Sequence, residues 1–171
     1  MIYSYRGIEP DCSKAVFIAD SADIIGDVIL GENANIWFNT TIRGDMAEIR
    51  VGSGTNIQDG SALHVDHDTP CIVGDNVTVG HGVILHGTRV GSNSLIGMGA
   101  ILLNNSEIGE GSVVGAGALV TEGKTFPPRS LIIGSPARKV REVTDGDLEK
   151  IRKNGEVYVQ LGIESAKNRK I

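Results

Sequence analysis

Aliphatic residues recur at every sixth position along most of this chain. The series Ile18, Ile24, Leu30, Ile36 and Ile42 resumes after an insertion at Val51, Ile57 and Leu63, and after a second insertion at Val73, Val79 and Leu85. One residue is then dropped, and Val90, Ile96, Leu102, Ile108, Val114 and Val120 follow without interruption. Small or turn-forming residues often come next, as at Gly31, Gly52, Gly74, Gly80, Gly91, Gly97, Gly109 and Gly115. A period of six drifts around a 3.6-residue helix, and each glycine inside one costs about 1 kcal/mol relative to alanine. One long half-buried strand would instead alternate with a period of two. A short strand and a turn per hexad, three hexads to a coil, account for both the aliphatic spacing and the glycines. Such coils stack through parallel ladders at ~4.8 Å and bury a continuous aliphatic column that no single coil buries alone. The spacing therefore predicts an all-β, parallel β-helix over residues 1–140.

At 171 residues the chain is one domain, or one domain with an appendage. Aromatic residues make up only 4% of it while glycine reaches 23 residues, so the core has to come from Val, Ile, Leu and Ala around tight turns. The hexads fade after Val120 into TFPPRSLIIGSPARKV, where Pro127, Pro128 and Pro136 suggest irregular chain. Residues 141–171 are expected to form a helical segment lying on the β-helix. Thr144 can cap it with Asp147 three residues on, and Leu148, Ile151, Val157 and Leu161 fall near one face, with Gly155 a point where it could break.

The net charge of −5 weighs against a nucleic-acid partner, which needs clustered Lys and Arg. Basic residues do concentrate between Arg138 and Arg169, but interleaved acids make this a solvated helix face. The opening MIYSYRGIEP lacks a basic start followed by an apolar run, so no signal peptide is expected. No stretch approaches the ~18 apolar residues of a membrane helix, and no membrane partner is expected. Cys12 and Cys71 lack metal-pair spacing and are read as reduced structural thiols, with a disulfide as the alternative. A cytoplasmic location follows as the default.

Phasing the hexads converts sequence position into spatial position. Hexads 42, 63 and 85 share one face in successive coils, so their second residues, Arg43, His64 and His86, form a column. Hexads 57 and 79 share another face, where the third residues, Asp59 and His81, stack. His64 and His86 are then one ~4.8 Å rung apart, which suits two imidazoles converging on one ion with bonds of ~2.0–2.1 Å. His81 lies on a different face and cannot reach that ion within its own subunit. A neighbour in a three-fold trimer could supply it, because a cyclic heterologous contact joins unlike faces. Three imidazoles with an open fourth position make a catalytic rather than a closed structural zinc arrangement. The fourth histidine, His67, reads as an ordinary surface residue.

The segments WFNTTIRGD (37–45), IRVGSGTNIQDGSALH (49–64) and VGHGVILHG (79–87) resemble the signature stretches of the gamma-class carbonic anhydrases, and the likeness covers nearly the whole chain. The resemblance to hexapeptide-repeat proteins implies a left-handed β-helix with a C-terminal α-helix, a hand that periodicity does not fix. The family pattern implies a homotrimer with His64, His81 and His86 as metal ligands, His81 crossing from the adjacent subunit. It also matches Arg43, Asp45 and Asp59 to an interface charge network, and Gln58, with Asn56 in the same block, to residues beside the metal-bound solvent. Tyr158 in VYVQLG resembles a terminal-helix tyrosine facing the site. Zinc is the expected ion, with Fe2+ or Co2+ as alternatives that imidazole also accommodates.

The implied activity is reversible hydration of CO2 to bicarbonate by metal-bound hydroxide. The chain departs from the family's best-characterised branch at two places that bear on proton transfer. Met46 follows Asp45 where that branch carries glutamate, and the short loop VDHDTP lacks its acidic insertion. Asp66, His67 or Asp68 could take that role. Two other functions stay open: a metal-free hexapeptide acyltransferase using one histidine as base, and a metal-stabilised trimeric scaffold.

Overall fold

The computed structural model describes residues 1–167 and shows the expected parallel β-helix closed by one helix. Every hexad aliphatic from Ile24 to Val120 points inward and is at most 3% exposed. Ile18, nearer the open N-terminal end, is half-buried. The register is the one the hexads require. One face stacks Ile24, Ile42, Leu63, Leu85, Leu102 and Val120 as successive parallel partners. The next stacks Leu30, Val51, Val73, Val90, Ile108 and Phe126. The third runs through seven rungs, Ile18, Ile36, Ile57, Val79, Ile96, Val114 and Ile132.

The glycines that follow the aliphatics stand where coils nearly touch. A Cβ on Gly52 would lie 2.4 Å from the carbonyl of Gly74 in the next coil, so no larger residue fits without moving backbone. Serine and threonine hydroxyls inside the corners bond neighbouring coils, as Thr55 Oγ1 donates to the Gly74 carbonyl at 2.7 Å.

The first insertion of the hexad series lies within Thr41–Val51, one strand of 11 residues that carries pairing around a corner with Asp23–Leu30, so two faces merge into one sheet. A later segment departs from the sequence reading. The stretch expected to be irregular after Val120 contains strands Thr125–Phe126 and Ser130–Gly134, and the latter pairs antiparallel with Ala137–Glu142. This hairpin succeeds despite its prolines because Pro127, Pro128 and Pro136 sit outside the paired strands, where no ladder donor is needed.

The helix spans Asp145–Ser165 with the expected capping box between Thr144 and Asp147, whose carboxyl the Arg141 guanidinium and the Thr144 amide hold far below the ordinary range. Gly155 does not break it. Gly155 and Gly162 are buried with Ile151 against the third face, while Val157 and Leu161 are exposed, so the docking face differs from the apolar one expected. The end of the anticipated helical segment, including Arg169, lies outside the described residues. Cys12 and Cys71 are both free thiols; burial pushes the Cys71 thiol up to about 12.

Candidate metal centre

The strands Ala62–His64 and Ile84–His86 pair in register, with His64 directly opposite His86 and Arg43 one rung further on. Each residue after a buried aliphatic must point outward, so Leu63 and Leu85 fix both rings on the surface of one face. His64 Nδ1 lies 3.0 Å from His86 Nε2. The remaining ring nitrogens are also engaged: His64 Nε2 meets Asp45 Oδ1 at 3.0 Å, and His86 Nδ1 makes a short contact with Asn104 Oδ1. Asp45 is in turn bonded by Arg43. Burial pushes the Asp45 carboxyl up, but the bond to His64 and the Arg43 guanidinium outweigh it, and the group sits below its ordinary range. Within the chain, Arg43 thus pairs with Asp45.

Asp59 and His81 also stack as expected, one coil apart on the third face, and His81 Nδ1 meets Asp59 Oδ2 at 2.9 Å. The His81 side chain is 43% exposed. Among the described residues no three His, Cys, Asp or Glu side chains of one chain form a metal-binding group. His64 and His86 are brought together; His81 is kept on another face.

A polar ladder runs beneath the helix beside Asp59. Asn56 donates through Nδ2 to Thr78 Oγ1 at 3.0 Å, and its Oδ1 accepts from Gln58 Nε2 at 3.1 Å. Gln58 Oε1 is the end of this chain. The helix brings Tyr158 edge-on to Trp37, ring centroids 5.6 Å apart. Burial, and then the nearby Asp59 carboxylate, push the Tyr158 hydroxyl's pKa up. Asp66, His67 and Asp68 form an exposed turn, and Asp66 Oδ2 accepts from Asn104 Nδ2 at 3.4 Å. Asn104 was missed in the sequence; following the column Arg43, His64, His86 into one further coil leads to its neighbour, Leu103.

This geometry can be set beside known proteins. A family model described as "Bacterial transferase hexapeptide (six repeats)" matches residues 87–122. The chain is 50% identical over 162 residues to a "Carbonic anhydrase" of Geobacillus kaustophilus, covering 95% of this chain and 89% of that one. A "Probable carbonic anhydrase" of Methanocaldococcus jannaschii is 48% identical over 87% of this chain and 94% of its own. The mitochondrial "Gamma carbonic anhydrase 2" of Arabidopsis thaliana is 39% identical over 94% of this chain and 60% of that protein. The chain belongs to the gamma-class carbonic anhydrase family. Names within such a family vary. A Bacillus cereus crystal structure of a candidate acetyltransferase is 44% identical, covers 97% of this chain and 96% of that one, and superposes with a TM-score of 0.94.

Proposed function

We propose that this protein is a metal-dependent carbonic anhydrase acting on CO2 and bicarbonate in the cytoplasm. Zinc would be held between subunits of a homotrimer by His64 and His86 of one chain and His81 of the next. The observation that carries this reading is the way His64 and His86 face each other. Asp45, an ionised carboxylate that only accepts, calls for the proton on His64 Nε2. Asn104 Oδ1 calls for the proton on His86 Nδ1, and turning the amide round would set its oxygen against the Asp66 carboxylate. Neutral rings so oriented point two lone pairs at each other across 3.0 Å. That arrangement is repulsive when the gap is empty and is relieved by a cation between them, so the Asp45 and Asn104–Asp66 contacts hold the pair ready for one. Two nitrogens bound tetrahedrally to zinc at ~2.0–2.1 Å would be about 3.3 Å apart, so the donor set fits the ion. Oxygen acceptors on the far nitrogens are the usual support for metal-binding imidazoles, and Asp59 gives His81 the same support.

The trimer is supported by the outward surface of the same face. Ala62, Ile84, Ile101 and Leu119 form a row on it, with Ile84 40% exposed, beside the two histidines. A contiguous apolar row on an outer face marks an interaction surface. At the corner carrying His81, Phe38 and Met98 are likewise exposed.

Held by His64, His86 and the partner subunit's His81, zinc would supply the nucleophile by lowering the pKa of water to near neutral. The protein's part is orientation. With Nε2 committed to Asn56, Gln58 presents Oε1, an acceptor that fixes the direction of a water hydrogen. Trp37 and Tyr158 wall the same side with aromatic surface that suits an apolar substrate. Zinc content and CO2 hydration of the native protein and of His86→Ala test the reading. Stoichiometric zinc with hydration, both lost in the variant, is expected; metal-free native protein would refute it. The acetyltransferase-named structural relative favours one second reading, a metal-free acyltransferase, which acetyl-CoA turnover that survives chelation would establish.

A further inference from the structure

We propose that Asn104 is a positioning residue that sets the tautomer and rotation of the His86 ring, and that Asp66 in turn sets the orientation of the Asn104 amide. The proposal rests on the metal-site reading above, since its consequence is the direction in which His86 presents Nε2.

His86 stands on the outer surface of a coil, where an imidazole can rotate about two side-chain bonds and carry its proton on either nitrogen. Among the described residues, two side chains restrict it, His64 and Asn104. His64 Nδ1 faces Nε2 at 3.0 Å, Asn104 Oδ1 contacts Nδ1, and the two rings meet edge to face with centroids 5.0 Å apart. The contact with His64, whose Nδ1 is left an acceptor by the bond from Nε2 to Asp45, by itself favours the proton on His86 Nε2, so the Asn104 contact has to oppose it. The Asn104 contact chooses one only if the amide presents its oxygen. A lone asparagine can turn its amide by half a revolution at little cost and present its NH2 instead. Asp66 removes that freedom: its Oδ2 accepts from Asn104 Nδ2 at 3.4 Å, and the reversed amide would set carbonyl against carboxylate.

The backbone is built to admit this chain of bonds. Gly87 has φ +53, and a Cβ there would lie 2.5 Å from Thr69 Cγ2 and 2.8 Å from Asn104 Oδ1. A side chain at 87 would therefore push the amide off its position between His86 and Asp66. Three segments that are distant in sequence, the turn after His64, the residue after His86 and the coil beyond, converge on a single amide. Its one evident effect is on the imidazole.

The consequence can be read without metal and without activity. Two-bond proton–nitrogen correlations of 15N-histidine-labelled, metal-free protein report which ring nitrogen carries the proton. Native protein is expected to show His86 protonated on Nδ1. Asn104→Leu should convert His86 to a mixture or to the Nε2–H form. The swap Asn104→Asp with Asp66→Asn, which keeps an acceptor oxygen on His86 and a donor–acceptor pair between 66 and 104, should retain the native form, and Asp66→Ala should give an intermediate result. Zinc affinity by chelator competition should fall roughly 10- to 100-fold in Asn104→Leu, the usual range for losing such a partner, and stay near native in the Asn104→Asp, Asp66→Asn swap. Circular dichroism of each variant confirms that the coils are intact. An unchanged His86 tautomer in folded Asn104→Leu overturns the proposal even if the protein binds zinc. Native protein that binds no zinc, yet shows the tautomer switch, overturns the metal reading and leaves Asn104 in its role.

Discussion

Gly162 of the helix lies directly on Asn35 of the third face: a Cβ at 162 would stand 3.2 Å from Asn35 Cβ and 3.1 Å from Val16 Cγ1. The helix is seated by the absence of a side chain, and its seat determines where Tyr158 meets Trp37.

Gly162→Leu should therefore lift the helix and cost about 1–3 kcal/mol, the usual penalty for overpacking. Denaturant unfolding measures the loss, and a changed Trp37 emission, which reports its contact with Tyr158, shows where the displacement occurs. Val157→Ala, at an exposed site on the same helix, should change neither.

Leu85 and His86 are neighbours on one strand with opposite orientations, Leu85 fully buried and His86 on the outer surface. Leu85→Ala should cost 2–5 kcal/mol, roughly, by opening a cavity in the aliphatic column. His86→Ala should leave chemical stability of the metal-free coils within about 0.5 kcal/mol, since no core contact is removed. Urea titration of the two metal-free variants distinguishes them.

Cys71 is fully buried, and burial raises its thiol from 9.0 to about 12. The folded state thus binds the proton more tightly than the unfolded chain. The resulting stability is complete below pH 9 and is lost as pH rises through the folded value near 12. Alkaline unfolding of native protein should begin above pH 9 and be less steep in Cys71→Ala. At pH 8 a thiol reagent should titrate half-buried Cys12 in the folded protein and reach Cys71 only after unfolding.

The coils were legible in the sequence because one physical rule, an inward aliphatic every sixth residue, repeats until register follows from counting. The columns Arg43–His64–His86 and Asp59–His81 came from the same count. What escaped the count depends on contacts that hydropathy does not encode. The hexad count gave no structure for the first insertion, where Gly44 lets Thr41–Val51 lie close against Asp23–Leu30: it pairs with Gly26, and a Cβ on it would strike the Asp27 carbonyl at 2.4 Å. The helix docks through Gly155 and Gly162, which no apolar periodicity marks, and so Val157 and Leu161 were placed on the wrong side. Asn104 contributes through an amide whose partners, His86 and Asp66, are 18 and 38 residues away.

The account turns on an ion shared by two chains, and mixed trimers test that most directly. His64→Ala and His81→Ala subunits should each bind no zinc alone. Unfolded together and refolded as mixed trimers, they should recover part of the native zinc content, because some interfaces then combine an intact His64–His86 pair with an intact His81. Zinc content that stays at the background of the separate variants, in trimers shown by mass to be mixed, would contradict it.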